Sequence, residues 1–271
     1  MYLGIDIGGT KTLLASFNSK GEVAAQLKFP TPEDYDEFLD KVKESLAKFK
    51  ANDFQGAVVA VPGRLDRERG VALGYGTLKW KRESIEADIE RIVNCPVTIE
   101  NDSKLAGLSE ALLIKNDFNN VLYVTIGTGI SAGIIINGMI DKNFANSESG
   151  QMWFDYHGKR MQWEDFASGR AIVAKYGKQA SDIDSSESWK EISHAIAIGM
   201  IELIAIIQPE VIVIGGGVGV HFDKFKGYLQ SELKKYETPL VPMPPLRRAH
   251  RPQEAVIYGC YELARRTYES R

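Results

Sequence analysis

Three times in this chain an apolar run stops at a cluster of glycines: Ile7-Gly8-Gly9-Thr10, Ile126-Gly127-Thr128-Gly129 and Ile214-Gly215-Gly216-Gly217. Glycine adopts the dihedrals of a tight reversal at no steric cost, so each cluster marks where a strand must end. The first lies between an apolar run over Tyr2–Ile7 and another over 13–17, and Ser19-Lys20-Gly21 turns the chain again into 23–29. Short strands separated by such turns predict an antiparallel meander. The second cluster repeats the arrangement between 121–126 and Ile130–Ile136. Displaced by 119 residues, the two hairpins overlay: Leu3, Ile7, Gly8 and Asn18 meet Leu122, Ile126, Gly127 and Asn137. The shared placement of glycine in the turn carries more weight than the identities. The sequence therefore reads as a duplicated α/β unit, each copy opening on a glycine-rich hairpin.

Helices and buried strands complete each copy. Phe38, Val42, Leu46 and Phe49 recur at helical spacing and predict a helix over 33–50. A buried strand over 57–61 stops at Pro62-Gly63, a helix follows over 84–93, and a strand over 97–100. Leu105, Leu108, Leu112 and Leu113 put a helix directly after Asp102. Asp184-Ser185-Ser186-Glu187 has the form of a capping box. The apolar stripe Ile192, Ala195, Ile196, Gly199, Met200, Leu203, Ile204 and Ile207 follows and ends at Gln208-Pro209. A strand over 211–214 then enters the third glycine cluster. Pro239, Pro242, Pro244, Pro245 and Pro252, close to Arg247, Arg248 and Arg251, predict a surface loop or irregular edge. A helix over 254–266 closes the chain. No low-complexity linker is present, so a hinge rather than a tether is expected between domains.

Two of the three glycine clusters carry a threonine. Backbone N–H groups unshielded by Cβ atoms suit phosphate oxygens, so the set predicts a nucleotide-phosphate site. It is not a P-loop, because GxxxxGK[ST] is absent. Gly127-Thr128-Gly129-Ile130-Ser131-Ala132 fits the loose form GxGxxA, but a dinucleotide fingerprint opens a helix, and Ile134-Ile135-Ile136 continues as a strand. A formal net charge of −3 argues against a dedicated nucleic-acid binder. Two cysteines, Cys95 and Cys260, make no disulfide framework and point to a reducing compartment. The longest apolar stretch, 195–207, contains Glu202 and falls short of the ~20 residues that span a bilayer. Met1-Tyr2-Leu3-Gly4-Ile5-Asp6 lacks the basic segment of a secretory signal. A cytoplasmic protein with no membrane and no nucleic-acid partner is expected.

Asp6-Ile7-Gly8-Gly9-Thr10-Lys11-Thr12 resembles the first phosphate motif of the ROK sugar kinases. The resemblance continues through Pro62-Gly63, Glu100-Asn101-Asp102, 125–133, Glu148-Ser149-Gly150 and 209–217, in order and over almost the whole chain. It implies the actin/hexokinase/Hsp70-like fold, a duplicated two-domain α/β architecture with a central cleft, here 1–104 plus 255–271 facing 105–254. It implies transfer of the γ-phosphoryl of ATP to the 6-hydroxyl of a hexose, glucose foremost. Asp102 matches the family's catalytic base, which takes the hydroxyl proton as the bond to phosphorus forms. An Asp at a strand-to-helix junction also suits helix capping. Asp6 matches the carboxylate that holds Mg²⁺ through water. Gly8, Gly9, Thr10 and Lys11 from one domain, and Thr128 and Gly129 from the other, would meet the phosphates. Gly215, Gly216 and Gly217 match the adenosine-side turn. The resemblance puts Gly63, Asn101, Asp102, Glu148, Gln151 and Glu164 on the sugar, where a carboxylate or amide takes two hydroxyls at once. Trp163 opens the segment that places Glu164. Trp80, Trp153 and Trp163 suit sugar stacking, but core packing is expected of each. The family often forms homodimers, which the acidic, helical surface permits.

The chain departs from the family in one place. Most members have Glu-x-Gly-His followed by a cysteine-rich zinc loop. Here Gln151 stands at the fourth position, and no cysteine lies between Cys95 and Cys260. No zinc site is therefore expected, Asp155 and His157 being too few ligands. A short chain without the zinc loop also resembles the family's polyphosphate-using glucokinases. Lys79, Lys81 and Arg82, or Arg247, Arg248 and Arg251, would then form a basic track. A third reading is a non-catalytic sugar or nucleotide sensor on the same fold. The family's repressors carry an N-terminal helix-turn-helix module, which is not expected ahead of a motif that begins at Asp6.

Overall fold

The computed structural model describes residues 1–50, 53–76 and 78–269. β1 (Tyr2–Ile7) and β2 (Lys11–Phe17) form the first glycine hairpin, closed by the Gly8 N–H donating to the Lys11 carbonyl at 3.1 Å. β3 (Val23–Pro30) extends the meander, antiparallel to β2. α1 (Tyr35–Leu46) starts where Asp34 accepts the Glu37 N–H, and it buries Phe38, Val42 and Leu46. It is shorter than the periodicity predicts, because Ala47, Lys48 and Phe49 bond back to residues 43–46 and wind the chain off the helix. β4 (Gly56–Val61) pairs parallel with β1, and the small hairpin β5 (Arg64–Asp66) and β6 (Val71–Gly74) follows. α2 (Ile85–Val93) and β7 (Val97–Asn101) complete a sheet of order β3-β2-β1-β4-β7.

Strand alternation sorts this sheet's residues to two faces. Leu3, Ile5, Ile7, Ala57, Val59 and Val61 pack with α1 and α2, whereas Tyr2, Val58 and Ala60 pack with the C-terminal helix described below. Both faces are covered, so β4 reads as an uninterrupted apolar run.

α3 (Asp102–Leu113) leads into the second copy. β8 (Asn120–Ile126) and β9 (Ile130–Ile136) make the second glycine hairpin, and β10 (Met139–Ile140) is a two-residue third strand. The hairpin β11 (Trp153–Tyr156) and β12 (Lys159–Gln162) leads into α4 (Trp163–Ala167) and α5 (Gly169–Tyr176). α6 (Ser186–Ile207) is capped by Ser185, whose hydroxyl accepts the Ser188 N–H. The cap thus lies one residue later than the capping-box pattern places it, and Asp184 pairs with Lys224 instead. β13 (Val211–Gly215), α7 (Gly216–Gly219), α8 (Phe222–Lys234) and β14 (Leu246–Arg248) close a sheet of order β10-β9-β8-β13-β14. β14 corrects the expectation of an irregular edge. It pairs parallel with β13 through Leu246, Arg247 and Arg248, beyond the prolines. A proline-flanked strand survives there because an edge needs hydrogen bonds on one side only. Leu122, Val124, Ile126, Ile212 and Ile214 build the core of this copy with Trp163, Trp189 and the stripe of α6.

α9 (Ala255–Tyr268) returns to the first sheet, packing on β1 and β4. The chain accordingly divides into two compact units, Met1–Ser109 with Glu254–Arg271, and Glu110–Gln253. Among the described residues no helix is long and apolar enough to cross a membrane.

Candidate active site

One group of the candidate residues lies in the first unit. Asp6 is the penultimate residue of β1, paired in register with Leu13 and Ala60. Burial pushes its carboxyl up from the ordinary 3.8 to about 7, the charge of Asp102 adds to the shift, and Lys28 opposes it. Both effects act against the ionised form. The turn that follows is pinned from the end of β3. Thr31 donates its hydroxyl to the Gly8 carbonyl at 2.8 Å and its N–H to the Thr10 carbonyl at 3.1 Å, while Thr12 Oγ1 sits 2.9 Å from Thr31 Oγ1. Gly9, Thr10 and Lys11 stand exposed on the pinned turn.

Glu100, Asn101 and Asp102 end β7 and begin α3. The Asn101 carboxamide oxygen accepts the Ser103 N–H at 3.0 Å, the Lys104 N–H at 3.3 Å and the Ser103 hydroxyl at 2.6 Å. Asn101 thus provides the helix cap, a role worth about 1 kcal/mol. Asp102 is the first residue of the helix rather than its cap, and its Oδ1 shares the Ser103 N–H at 2.7 Å. Asn101 Nδ2 reaches the Gly63 carbonyl at 3.0 Å. Gly63 has φ +107°, and a Cβ there would run into the Gly74 carbonyl, so only glycine fits.

Glu100 anchors this corner. Its Oε1 accepts the Asn101 N–H at 2.6 Å, and Arg67 grips both oxygens, Nε to Oε2 at 2.8 Å and Nη2 to Oε1. The Glu100 side chain is 9% exposed and that of Arg67 26%, so the pair lies largely out of water. Sequence reasoning quoted Glu100 as part of a motif without a role and missed Arg67. The available signal was a glutamate at the end of a buried strand, which demands a cation.

Another group of the candidate residues lies in the second unit. The Gly127 N–H donates to the Gly129 carbonyl at 2.9 Å and closes the turn between β8 and β9, with Thr128 exposed at its tip. Glu148, Gly150 and Gln151 lie on a single short 3₁₀ turn, in which the Gln151 N–H donates to the Glu148 carbonyl at 3.1 Å. A Cβ on Gly150 would strike the Ile130 carbonyl, so this turn lies against the start of β9. Glu164 is the second residue of α4. Its Oε1 accepts Gln151 Nε2 at 2.8 Å and its Oε2 accepts the Ile130 N–H at 3.3 Å. Gln162 Nε2 donates to Gln151 Oε1 at 2.6 Å, and Arg170 stands 3.8 Å from Glu164 and 3.6 Å from Asp165. Gln151 and Glu164 are therefore brought together, through Gln162 and Arg170, which sequence reasoning did not single out.

The third glycine cluster is a strand-to-helix passage, not a hairpin. Gly215 ends β13 and Gly216, at φ +81°, begins α7. Within the two basic tracks, Lys79, Arg247 and Arg248 are engaged with carboxylates. Lys79 pairs with Glu33 at 2.8 Å, Arg247 with Asp117 at 3.6 Å and Arg248 with Asp223 at 3.5 Å. Trp163 is fully buried and Trp80 nearly so, within a cluster of Tyr35, Phe38 and Tyr75. Trp153 departs from the expected core packing, since it alternates outward on the β11–β12 hairpin and is 54% exposed. Asp155 pairs with Arg160, and His157 lies edge-on to Tyr156.

The ROK family profile matches residues 2–267. The chain is 27% identical to an N-acetyl-D-glucosamine kinase of Escherichia coli over 92% of this chain and 94% of the relative. It is 24% identical to a glucokinase of Streptomyces coelicolor over 87% and 88%. Among solved structures, a ROK family glucokinase from Streptomyces griseus, in complex with glucose and AMPPNP, superposes with a TM-score of 0.82 at 23% identity, over 98% of this chain and 99% of that one. The fold is that of the actin/hexokinase/Hsp70-like proteins, two α/β domains each built on a sheet. With its motifs in order and the match running nearly end to end, the chain belongs to the ROK family.

Proposed function

We propose that this protein is a sugar kinase that transfers the γ-phosphoryl of ATP to the 6-hydroxyl of a hexose, with glucose the first acceptor to test. The reading rests above all on Asp102, a half-buried carboxylate at the start of α3, directly after the Arg67–Glu100–Asn101 network and close enough to Asp6 to raise its pKa. Family membership and the sugar-kinase relatives support the reaction class, and the AMPPNP complex of the Streptomyces griseus glucokinase supports ATP as donor. Those relatives act on different sugars, so the acceptor is decided by assay.

In this mechanism Asp102 accepts the proton of the attacking hydroxyl as the oxygen–phosphorus bond forms and the bond to ADP breaks. Gly8, Gly9, Thr10, Lys11, Thr128 and Gly129 hold the phosphates, and Gly215, Gly216 and Gly217 the adenosine side. Gly63, Asn101, Glu148, Gln151 and Glu164 hold the sugar. Catalysis is then mainly positioning and charge neutralisation. Two carboxylates that disfavour each other's charge, Asp6 and Asp102, fit a divalent cation. Among the described residues no group of three or more His, Cys, Asp or Glu could hold a metal by itself. That suits Mg²⁺, which keeps water and phosphate oxygens as ligands and takes one or two carboxylates. When bound it would neutralise the donor phosphates, with Asp6 its protein-side carboxylate.

A phosphoryl-transfer assay with Mg²⁺ tests the proposal, crossing ATP and polyphosphate with glucose, mannose, fructose, N-acetylglucosamine and N-acetylmannosamine. ATP-dependent turnover of a hexose is the expected result. Turnover with polyphosphate alone would replace the donor, a reading disfavoured by the ion-paired Lys79, Arg247 and Arg248. Sugar binding without turnover from any donor would establish a sensor instead.

A further inference from the structure

The turn proposed to meet phosphates and the loop proposed to read the sugar converge on one carboxylate. Glu164 Oε1 accepts Gln151 Nε2, and Oε2 accepts the backbone N–H of Ile130, the residue that follows Gly129 in the hairpin. A methyl group on Gly129 would stand 2.5 Å from Glu164 Oε2, and one on Gly150 3.0 Å from the same atom. Carbon and oxygen do not approach so closely without displacement. The Glu164 carboxylate therefore occupies room that two glycines leave by having no side chain. A methyl on Gly127, in the same turn, would meet no atom within 4 Å among the described residues beyond its own chain neighbours. The two glycines of one motif thus have different requirements.

Gln151 inherits the consequence. Its oxygen is taken by Gln162 Nε2 at 2.6 Å and its nitrogen faces Glu164. A carboxylate only accepts, so this pairing fixes which end of the amide points where. One N–H and one lone pair of Gln151 are left over for a hydroxyl, in a direction that Glu164 sets. Arg170, 3.8 Å from Oε1, is the remaining restraint on the carboxylate.

We infer that Gly129 is a positioning residue for Glu164, so that the second phosphate hairpin also sets the geometry in which the acceptor sugar is held. Movement of the hairpin carries the Ile130 N–H with it, hence Glu164, hence the Gln151 amide. The inference rests on the sugar-side reading of Glu164 given above.

Gly129→Ala tests it. The atom in the way is the free end of a flexible side chain, so the added methyl moves the carboxylate and leaves the fold intact. Amide NMR of the ligand-free protein is the first readout. The Ile130 N–H and the Gln151 side-chain NH₂ resonances should both shift relative to wild type. Calorimetric titration with glucose, fructose and N-acetylglucosamine, without nucleotide, is the second. Whichever sugar the wild type binds should be held about tenfold more weakly, the cost of misaligning hydrogen bonds to a charged group. Gly129→Ala with Glu164→Asp, which withdraws the carboxylate by one methylene, should recover part of the sugar affinity. Unshifted Gln151 resonances overturn the inference, as does sugar binding that stays at the wild-type value. A wild type that binds and phosphorylates none of these sugars would instead remove the proposed function, and the ligand-free resonances would still decide whether Gly129 sets Glu164.

Discussion

In the first sheet the parallel edge strand β7 ends in Glu100-Asn101 and passes directly into Asp102 of α3; in the second, the corresponding strand β14 ends in Leu246-Arg247-Arg248. Both sheets have the same order, two antiparallel neighbours on one side of the central strand and two parallel ones on the other. In the alignment of the hairpins Asp6 meets Thr125, which pairs with Gly215 as Asp6 pairs with Ala60. The first copy carries carboxylates at the ends of its central and edge strands, and the second carries none there. Its carboxylate, Glu164, comes from α4 and is surrounded by donors. One topology thus supports two electrostatic roles. The first copy accumulates negative charge that a cation or a proton must relieve, and the second presents a neutralised, hydrogen-bonded surface.

The sharpest way to break this comparison is Asp102→Asn. It should lower kcat by roughly 10²–10⁴-fold while sugar affinity is retained. Wild-type turnover in that variant would remove the chemistry from the first copy. Next comes Arg67→Ala, which strands the Glu100 carboxylate in a largely dry corner. Urea denaturation should show a loss of about 3–5 kcal/mol, and Arg67→Ala with Glu100→Gln should regain much of it. A small loss would mean that Glu100 finds another partner.

Asp6 gives a pH test. Its folded-state pKa lies above the unfolded value of 3.8, so the native state binds the extra proton. That stabilisation is complete below the unfolded value and fades as pH rises towards about 7. The cation-free protein should therefore melt lower at pH 8 than at pH 5 from this group, and Asp6→Asn should flatten the difference while losing Mg²⁺-dependent activity. Asp102→Asn should move the midpoint down, since Asp102 is the second cause of the shift. An unmoved midpoint would separate the two carboxylates. The smallest effects belong to the second copy's exposed pairs. Arg247→Ala and Arg248→Ala should each change stability by less than about 1 kcal/mol and leave ATP-dependent kcat unaltered. A drop with polyphosphate alone would restore the basic track.

Sequence spacing captured the hairpins because their signals are local. Glycines at the turns and alternating apolar residues in β1, β2, β8 and β9 need no distant partner to be read. β14 was hidden, since three residues beyond a run of prolines carry no period. The cap of α6 slipped by one because Asp184 and Ser185 are both good caps, and Lys224 claims the first. The site divided in the same way. Motif order brought out Asp6, Asn101, Asp102 and Glu164, but not the groups that hold them. Arg67 reaches Glu100 across 33 residues of chain, and Gln162 meets Gln151 across a hairpin whose fold no motif announces. Gly129 was read from the sequence as backbone for phosphate, since nothing local shows that a side chain from residue 164 fills its missing Cβ.

The position of α9 has a consequence for biosynthesis. Cys260 packs against Gly4, the Tyr268 ring covers Gly56, and the Tyr268 hydroxyl lies 2.6 Å from Thr98 Oγ1. The sheet that bears Asp6 and Glu100 therefore leaves the ribosome ahead of the second unit but is closed after it. The second unit, uninterrupted in the chain, is synthesised in between and can fold as it emerges. A nascent chain halted before α9 would hold one face of β1 and β4 bare, exposing Val58 and Ala60 to chaperones and proteases. The unit proposed to carry the chemistry would be assembled only when synthesis has passed α9.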